Sequence, residues 1–256
     1  MPLIKIFIKV YNFLITSLLW MYFLFGYLFL LLFLFLPAIV ISKNVSAALQ
    51  NINHVHLRCF FALTRIFIRR TKFEIPDEVR QIRSAVIVCN HISYLDPILL
   101  VSLFPRHLTI VKNTFFKVPI FGWFLKNTGY IPSAPNEMMG AAMINNLEAI
   151  KKHLADGGIV FVFPEGTRSR DGKLAAFNKG VFSIARYCKA PIHLILIKNT
   201  NVLFRPGTFS FDTRAFNTIK LKLIGTLEPD FKSYNFSVSS VAQNARALFE
   251  KNLLHS

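Results

Sequence analysis

Residues 85–96 read Ala85-Val86-Ile87-Val88-Cys89-Asn90-His91-Ile92-Ser93-Tyr94-Leu95-Asp96, an apolar run followed at once by polar and ionisable side chains. Such a short apolar, β-branched run predicts a buried strand. The arrangement recurs where Gly158-Ile159-Val160-Phe161-Val162 leads into Phe163-Pro164-Glu165-Gly166-Thr167-Arg168-Ser169. In α/β sheets, ligands bind outside the carboxyl ends of the strands. The two stretches therefore predict an α/β sheet with a functional site at that edge.

His91 and Asp96 are the candidate catalytic residues, because a histidine with a nearby acid can serve as a general base with an orienting partner. On a straight helix five positions separate two side chains by about 140°, so pairing requires a turn between them. Pro97 disfavours helical geometry at Asp96 and suits a helix that begins at position 97. Two alternatives stay open: Asp96 caps a helix, or it is the acid of a capping box that begins at Ser93.

The second stretch offers a candidate anion site. Gly166 permits a tight turn, and the guanidinium of Arg168 has the planar fork that suits phosphate oxygens. The alternative is a surface turn in which Glu165 and Arg168 are only solvated, but the buried strand that precedes the turn favours a site. Cys89 ends a strand, which favours core packing over a thiol nucleophile. The chain lacks the G-x-S-x-G elbow of serine hydrolases, so the sequence favours direct transfer with His91 as base.

These residues resemble the glycerolipid acyltransferase family, the 1-acyl-glycerol-3-phosphate and lysophospholipid acyltransferases. The marks of that family are H-x-x-x-x-D and a later F-P-E-G-T-R-S, and both are present here in the family's order. A block from Lys112 through Pro119 and Gly122-Trp123 to Gly129 resembles the family's acceptor-binding region. The resemblance implies a single α/β acyltransferase domain, with a mixed sheet covered by helices, after an N-terminal membrane segment.

The resemblance also implies an activity. A membrane-bound O-acyltransferase would move a fatty acyl group from an acyl thioester, either acyl-CoA or the acyl carrier protein thioester, to the hydroxyl of a lysolipid. The first expectation for that acceptor is 1-acylglycerol-3-phosphate. No cofactor or metal is expected beyond the thioester co-substrate. Alternatives are another lysolipid acceptor, or a non-catalytic membrane lipid-binding protein of the same fold. The residues implied are catalytic His91 and Asp96, and substrate-binding Lys112, Glu165, Gly166, Thr167 and Arg168.

One departure from the family concerns the acceptor. The family usually carries an arginine, a phosphate ligand, a few residues after the glycine matched by Gly129. This chain reads Pro132-Ser133-Ala134-Pro135 there and has no Lys or Arg in residues 127–150. Either Arg168, Lys112 or Arg170 replaces that ligand, or the acceptor carries a different head group.

Composition points to a membrane. Hydrophobic residues make up 53% of the chain and charged residues 17%, yet 30 Lys and Arg against 13 Asp and Glu give a net charge of +17. Such a charge implies an anionic partner. The hydrophobicity favours an anionic bilayer over nucleic acid, and no nucleic-acid motif is present. His54, His56 and Cys59 lack a fourth ligand and a shared helix face, so no metal site is predicted.

Residues 10–42 contain no charged side chain, a stretch of 33 residues that is long enough to span a bilayer. A signal peptide would have an apolar region of about 7–15 residues and a small-residue cleavage site, and neither fits. A re-entrant hairpin that bends near Gly26 remains an alternative to a spanning helix. The excess of Lys and Arg after residue 42 places the following domain in the cytoplasm, as at the inner membrane of a bacterium.

The predicted organisation has three parts. Residues 1–42 form a transmembrane or re-entrant segment, residues 43–83 a basic amphipathic helix (44–72) with a polar connector, and residues 84–256 the α/β domain. Short apolar runs predict the strands 85–89, 108–111, 158–163, 192–197 and 219–224. The helices are predicted at 97–103, 118–127, 137–155, 180–189 and 238–254.

Overall fold

The computed structural model describes residues 2–133, 141–169, 173–231, 233 and 236–254, which form two compact units. The first unit comprises residues 1–75, 92–105 and 197–220. The second comprises residues 76–91, 106–196 and 221–256. Both units thus contain segments that are distant in sequence, so neither corresponds to one continuous part of the chain.

The first unit begins with a long apolar helical stretch. Helix α1 (Pro2–Leu30) continues through a π-helical turn (Leu31–Phe35) into α2 (Leu36–Ile41), after which the chain reverses into α3 (Val45–Phe67). The side chain of Asn44 accepts a hydrogen bond from the Ala47 N–H and so caps α3. Residues Ile6–Ile41 are long and apolar enough to form one membrane span.

Gly26 lies inside α1, so the bend expected there as an alternative does not occur, and the reversal falls at residues 42–44 instead. A Cβ at Gly26 would lie 2.4 Å from the ring of His56 in α3. The glycine thus serves a close approach of the two helices. Polar contacts strengthen the same interface, since the Tyr22 hydroxyl donates to the His56 carbonyl and the Tyr27 hydroxyl to Asn53 Oδ1.

The predicted basic helix 44–72 is correct in type but ends earlier, at Phe67. The next residues form the short strand β1 (Thr71–Glu74), which pairs in parallel with the beginning of β7 (Asn217–Leu227). The predicted connector therefore contains an edge strand and the single turn of α4 (Asp77–Arg80). Only one side of β1 is buried and three of its four residues are polar, which explains why an apolar-run criterion misses it.

The remaining elements alternate along the chain as the sequence predicts. In order they are β2 (Ala85–Cys89), α5 (Leu95–Leu103), β3 (His107–Val111), a 3₁₀ turn (Asn113–Lys117), α6 (Phe121–Thr128), β4 (Ile131–Pro132), α7 (Ala141–Ala155), β5 (Ile159–Val162), α8 (Gly180–Cys188), β6 (Ile192–Lys198), α9 (Thr200–Leu203) and α10 (Val238–Leu254). All five predicted strands and all five predicted helices are present. The beginning of the helix predicted at 137–155 lies outside the described residues.

The sheet has the strand order β1-β7-β6-β2-β5-β3-β4. Strand β2 is parallel to both β5 and β6, with Ala85 opposite Ile159, and β3 is parallel to β4 and β5. Strands β6 and β7 run antiparallel, because His193 at the start of β6 contacts Thr226 at the end of β7. The sheet is therefore mixed, which confirms the predicted fold class. Every residue of β2 and β5 is buried, in keeping with their continuous apolar sequences.

Candidate active site

His91 lies in the second unit, two residues beyond the carboxyl end of β2. Its backbone N–H donates to Glu165 Oε1 at 3.1 Å, and its carbonyl accepts from the Ser169 N–H at 2.8 Å. Its ring stacks on Phe163 with the ring centroids 4.3 Å apart. The loop that follows β5 therefore holds the predicted base at two backbone points and at one ring face.

Glu165 connects the loop after β5 to the segment that contains Ala175. Its side chain is buried, and Oε2 accepts a hydrogen bond from the Ala175 N–H at 3.0 Å. Gly166 has φ +66°, and its N–H donates to the Phe163 carbonyl, which closes the tight turn that the sequence predicts. Both carboxylate oxygens of Glu165 thus bind backbone N–H groups. This arrangement assigns Glu165 to the support of His91, whereas the substrate-binding role implied by the resemblance stays a prediction.

Arg168, Thr167 and Lys112 lie in loops of the same unit. Thr167 is exposed and Arg168 half-buried after β5, and the exposed Lys112 directly follows β3. Because β2, β5 and β3 are adjacent and parallel, their carboxyl ends lie at one edge of the sheet. The structure therefore brings His91, the Glu165–Arg168 loop and Lys112 to that edge, as expected. Arg170 lies outside the described residues.

Asp96 belongs to the first unit, in the first turn of α5, and it is fully buried. Its Oδ2 accepts hydrogen bonds from the N–H groups of Ile92 and Ser93, both at 2.7 Å. The residues between His91 and α5 form a turn, as pairing requires, although the helix begins at Leu95 and not at Pro97. The bond from Ser93 is the acid half of a capping box. Asp96 is therefore a capping residue of α5, as one of the two alternatives expected. The same hydrogen bonds hold its carboxylate in place, which a catalytic role would also require.

A residue that the sequence analysis missed completes the surroundings of Asp96. The hydroxyl of Thr200 donates to Asp96 Oδ1 at 2.5 Å, and Thr200 is fully buried in the first unit. Ser93 is held as well, because its hydroxyl donates to the Phe204 carbonyl at 3.1 Å. Thr200 belongs to no motif and is 104 positions from Asp96 in sequence, so no local pattern could identify it.

The region after Gly129 is organised by backbone contacts. Gly129 ends α6 in the left-handed conformation, and Tyr130 places its hydroxyl 2.8 Å from His107 Nε2. The N–H of Ser133 donates to the Val111 carbonyl, while the Ser133 hydroxyl accepts from the Asn113 N–H. Ser133 therefore joins β4 to the turn after Lys112, near the position where the family usually has its arginine.

Comparison with known proteins assigns the chain to a protein family. Residues 70–198 match the family model described as Acyltransferase. A chloroplastic 1-acyl-sn-glycerol-3-phosphate acyltransferase of Brassica napus is 35% identical over 123 residues, which cover 48% of this chain and 35% of that protein. The 1-acyl-sn-glycerol-3-phosphate acyltransferase of Saccharomyces cerevisiae is 29% identical over 174 residues, which cover 66% of this chain and 56% of that protein.

A solved structure has the same fold. The crystal structure of the 1-acyl-sn-glycerophosphate (LPA) acyltransferase PlsC from Thermotoga maritima superposes with a TM-score of 0.66 at 20% identity, covering 96% of this chain and 97% of that one. The chain spans about a third of the length of the Brassica napus protein and just over half of the yeast protein. The family match extends over half of the chain and includes His91, Asp96 and the Glu165–Arg168 loop. This chain is a member of the acyltransferase family.

Proposed function

We propose that the chain transfers a fatty acyl group from an acyl thioester to the free hydroxyl of a lysolipid, with 1-acylglycerol-3-phosphate as the first acceptor to test. The observation that carries the proposal is the attachment of His91 to the loop after β5, through Glu165, Ser169 and Phe163. Curated relatives named as 1-acyl-sn-glycerol-3-phosphate acyltransferases support the choice of acceptor. The donor is a thioester of CoA or of acyl carrier protein.

The proposed mechanism is general-base transfer in one addition–elimination sequence. The imidazole of His91 takes the proton of the acceptor hydroxyl as that oxygen attacks the thioester carbon. Collapse of the tetrahedral intermediate breaks the C–S bond, and the proton passes to the leaving thiolate. Asp96 orients the ring and balances the charge of the imidazolium. A positioned base contributes about 10²–10⁴-fold to the rate.

Arg168 and Lys112 are proposed to hold the acceptor's phosphate. Both lie in loops at the carboxyl edge of the sheet, and a guanidinium binds phosphate oxygens in a bidentate manner. Residues 127–150 supply no further cation. A phosphomonoester carries nearly two charges, so a site with fewer cations should discriminate less against lysolipids that have a substituted phosphate. We therefore propose that selectivity for 1-acylglycerol-3-phosphate is modest.

We propose that α1 and α2 insert into an anionic membrane and that the catalytic residues are on its cytoplasmic side. One side of α1 packs against the segment 209–211 of the same unit, because Thr16 accepts a hydrogen bond from the Phe211 N–H and Trp20 donates one to the Phe209 carbonyl. Many large apolar side chains of α1 and of the π-helical turn after it are exposed, including Phe7, Phe13, Phe25, Phe29 and Phe33. Exposed phenyl groups in such number favour lipid contact. The full-length protein should need detergent for extraction, and its release by high salt alone would refute insertion.

The activity is tested with protein purified in detergent. Thiol release from acyl-CoA and from the acyl carrier protein thioester is measured with a panel of lysolipids, and the products are identified by mass spectrometry. We expect acceptor-dependent release that is lost in His91→Ala, with the melting temperature unchanged. No release from any donor and acceptor pair would favour a non-catalytic lipid-binding protein. Wild-type turnover by a folded His91→Ala protein would refute the mechanism.

A further inference from the structure

A short turn in the first unit places the hydroxyl group of Thr200 next to the carboxylate of Asp96. Thr200 is the first residue of α9, directly after β6 and Asn199, and it has no exposed surface. Its Oγ1 lies 2.5 Å from Asp96 Oδ1. An ionised carboxylate can only accept hydrogen bonds, so Thr200 is the donor. A distance this short is typical of a charge-assisted O–H···O⁻ bond.

The backbone at Asn199 directs Thr200 toward the acid. Asn199 has φ +65°, a left-handed conformation that asparagine adopts more readily than most residues. Its side-chain amide donates to the Thr218 carbonyl at 2.9 Å, and its own carbonyl accepts from the side chain of Asn217 at 3.0 Å. These two bonds fix the strained turn to the adjacent strand β7. The position of the Thr200 hydroxyl is therefore set by the fold and not by a flexible loop.

The hydrogen bonds that Ile92, Ser93 and Thr200 donate to Asp96 come from different parts of the fold. The N–H groups of Ile92 and Ser93 both bind Oδ2, as the first-turn acid of many helices is bound. These two bonds come from the residues just before the helix and hold one oxygen of the carboxylate. Thr200 binds the other oxygen from a distant segment and so adds a second point at which the carboxylate is held.

We propose that Thr200 is a positioning residue for acyl transfer, which holds the Asp96 carboxylate in the orientation that it needs to assist His91. This inference rests on the proposed function, because it assumes that Asp96 supports a general base. The hydroxyl of Thr200 contacts Asp96 and contributes through that residue alone. Its loss should therefore lower kcat and leave the Michaelis constants of donor and acceptor within about twofold of wild type.

The test compares Thr200→Ser with Thr200→Ala in the purified full-length protein. Both variants lose the methyl group, so any packing effect is common to them, and they differ only in the hydroxyl. We expect Thr200→Ser to stay within about threefold of the wild-type kcat and Thr200→Ala to fall about 10–100-fold. Thr64→Val is the matched control, because Thr64 is equally buried in the same unit but donates to the Phe60 carbonyl. Its kcat should not change.

A double-mutant cycle separates this inference from the proposed function. In an Asp96→Asn background the Thr200→Ala change should cost less than about threefold, because the carboxylate that it positions is gone. A full multiplicative loss there, equal kcat values for the Ser and Ala variants, or a matching rise in a Michaelis constant would each overturn the role of Thr200. Wild-type kcat in Asp96→Asn alone would instead refute the proposed mechanism.

Discussion

Replacement of Glu165 by glutamine tests whether the loop after β5 supports His91. The carboxylate accepts one hydrogen bond from the His91 N–H at 3.1 Å and one from the Ala175 N–H at 3.0 Å. Glutamine has only one side-chain oxygen, so its NH₂ group must face one of these two donors. The substitution keeps size and shape, and it removes one acceptor together with the negative charge.

The magnitude follows from the two bonds. A hydrogen bond to a charged group contributes about 1.5–3 kcal/mol, and the surviving bond weakens by up to about 1 kcal/mol because its acceptor becomes neutral. The free energy of unfolding should therefore fall by about 1.5–4 kcal/mol. In a chain of this size the melting temperature should then drop by roughly 5–15 °C. Turnover should fall about 10–100-fold, since a displacement of a catalytic group by about 1 Å can cost 10²-fold.

The assay is thermal unfolding in detergent together with thioester turnover at a temperature where the variant is folded. Glu74→Gln is the control, because the Glu74 carboxylate lies at the surface in an ion pair with Lys220 at 2.7 Å, with side chains 57% and 48% exposed. Such pairs contribute about 0–1 kcal/mol. If Glu165→Gln had the same melting temperature as Glu74→Gln and the same turnover as the wild type, Glu165 would not support the His91 loop.

Two further changes test the packing. Burial lowers the pKa of His153 from its ordinary 6.5 to about 4, so between these values an unfolded chain binds a proton that the folded chain does not. Wild-type stability should therefore decline as pH falls from about 6.5 to 4, and His153→Gln should decline less; parallel melting curves would exclude this contribution. Gly26→Ala gains about 0.5–1 kcal/mol of helix propensity but places a Cβ 2.4 Å from the His56 ring. Overpacking of about 1–3 kcal/mol should prevail, and an unchanged or higher melting temperature would show that the helices separate easily.

The sequence predicts the buried centre of the sheet well, for a physical reason. Strands β2 and β5 are buried on both faces, so their residues form continuous apolar runs, and the turns after them contain the residues that bind one another. Strand β1 has a single apolar residue, Phe73, and is half-exposed, and only its pairing with β7 distinguishes it from a loop. That pairing also explains why α3 ends at Phe67 although a helical pattern continues.

Contacts that depend on distant segments could not be predicted. Thr200 binds Asp96 because Asn199 adopts a left-handed turn that Asn217 stabilises, and no periodicity encodes this combination. The support that Glu165 gives His91 is similar, since the pattern predicts that both residues reach one edge but not which atoms meet. Local sequence thus predicts strands and turns, whereas the partners of buried polar atoms follow from the complete fold.

The contacts of α1 with the loop 204–216 affect how this protein can be engineered. Asn12, Thr16 and Trp20 bind that loop, and its first residue accepts the Ser93 hydroxyl beside the acid-bearing turn. An exchange of α1 for an unrelated apolar helix would keep the apolar character but leave the buried Thr213 hydroxyl and Phe211 N–H without their acceptors. A chimera that is meant to stay active should therefore retain these three residues at intervals of four. The same constraint applies to any derivative in which α1 is shortened.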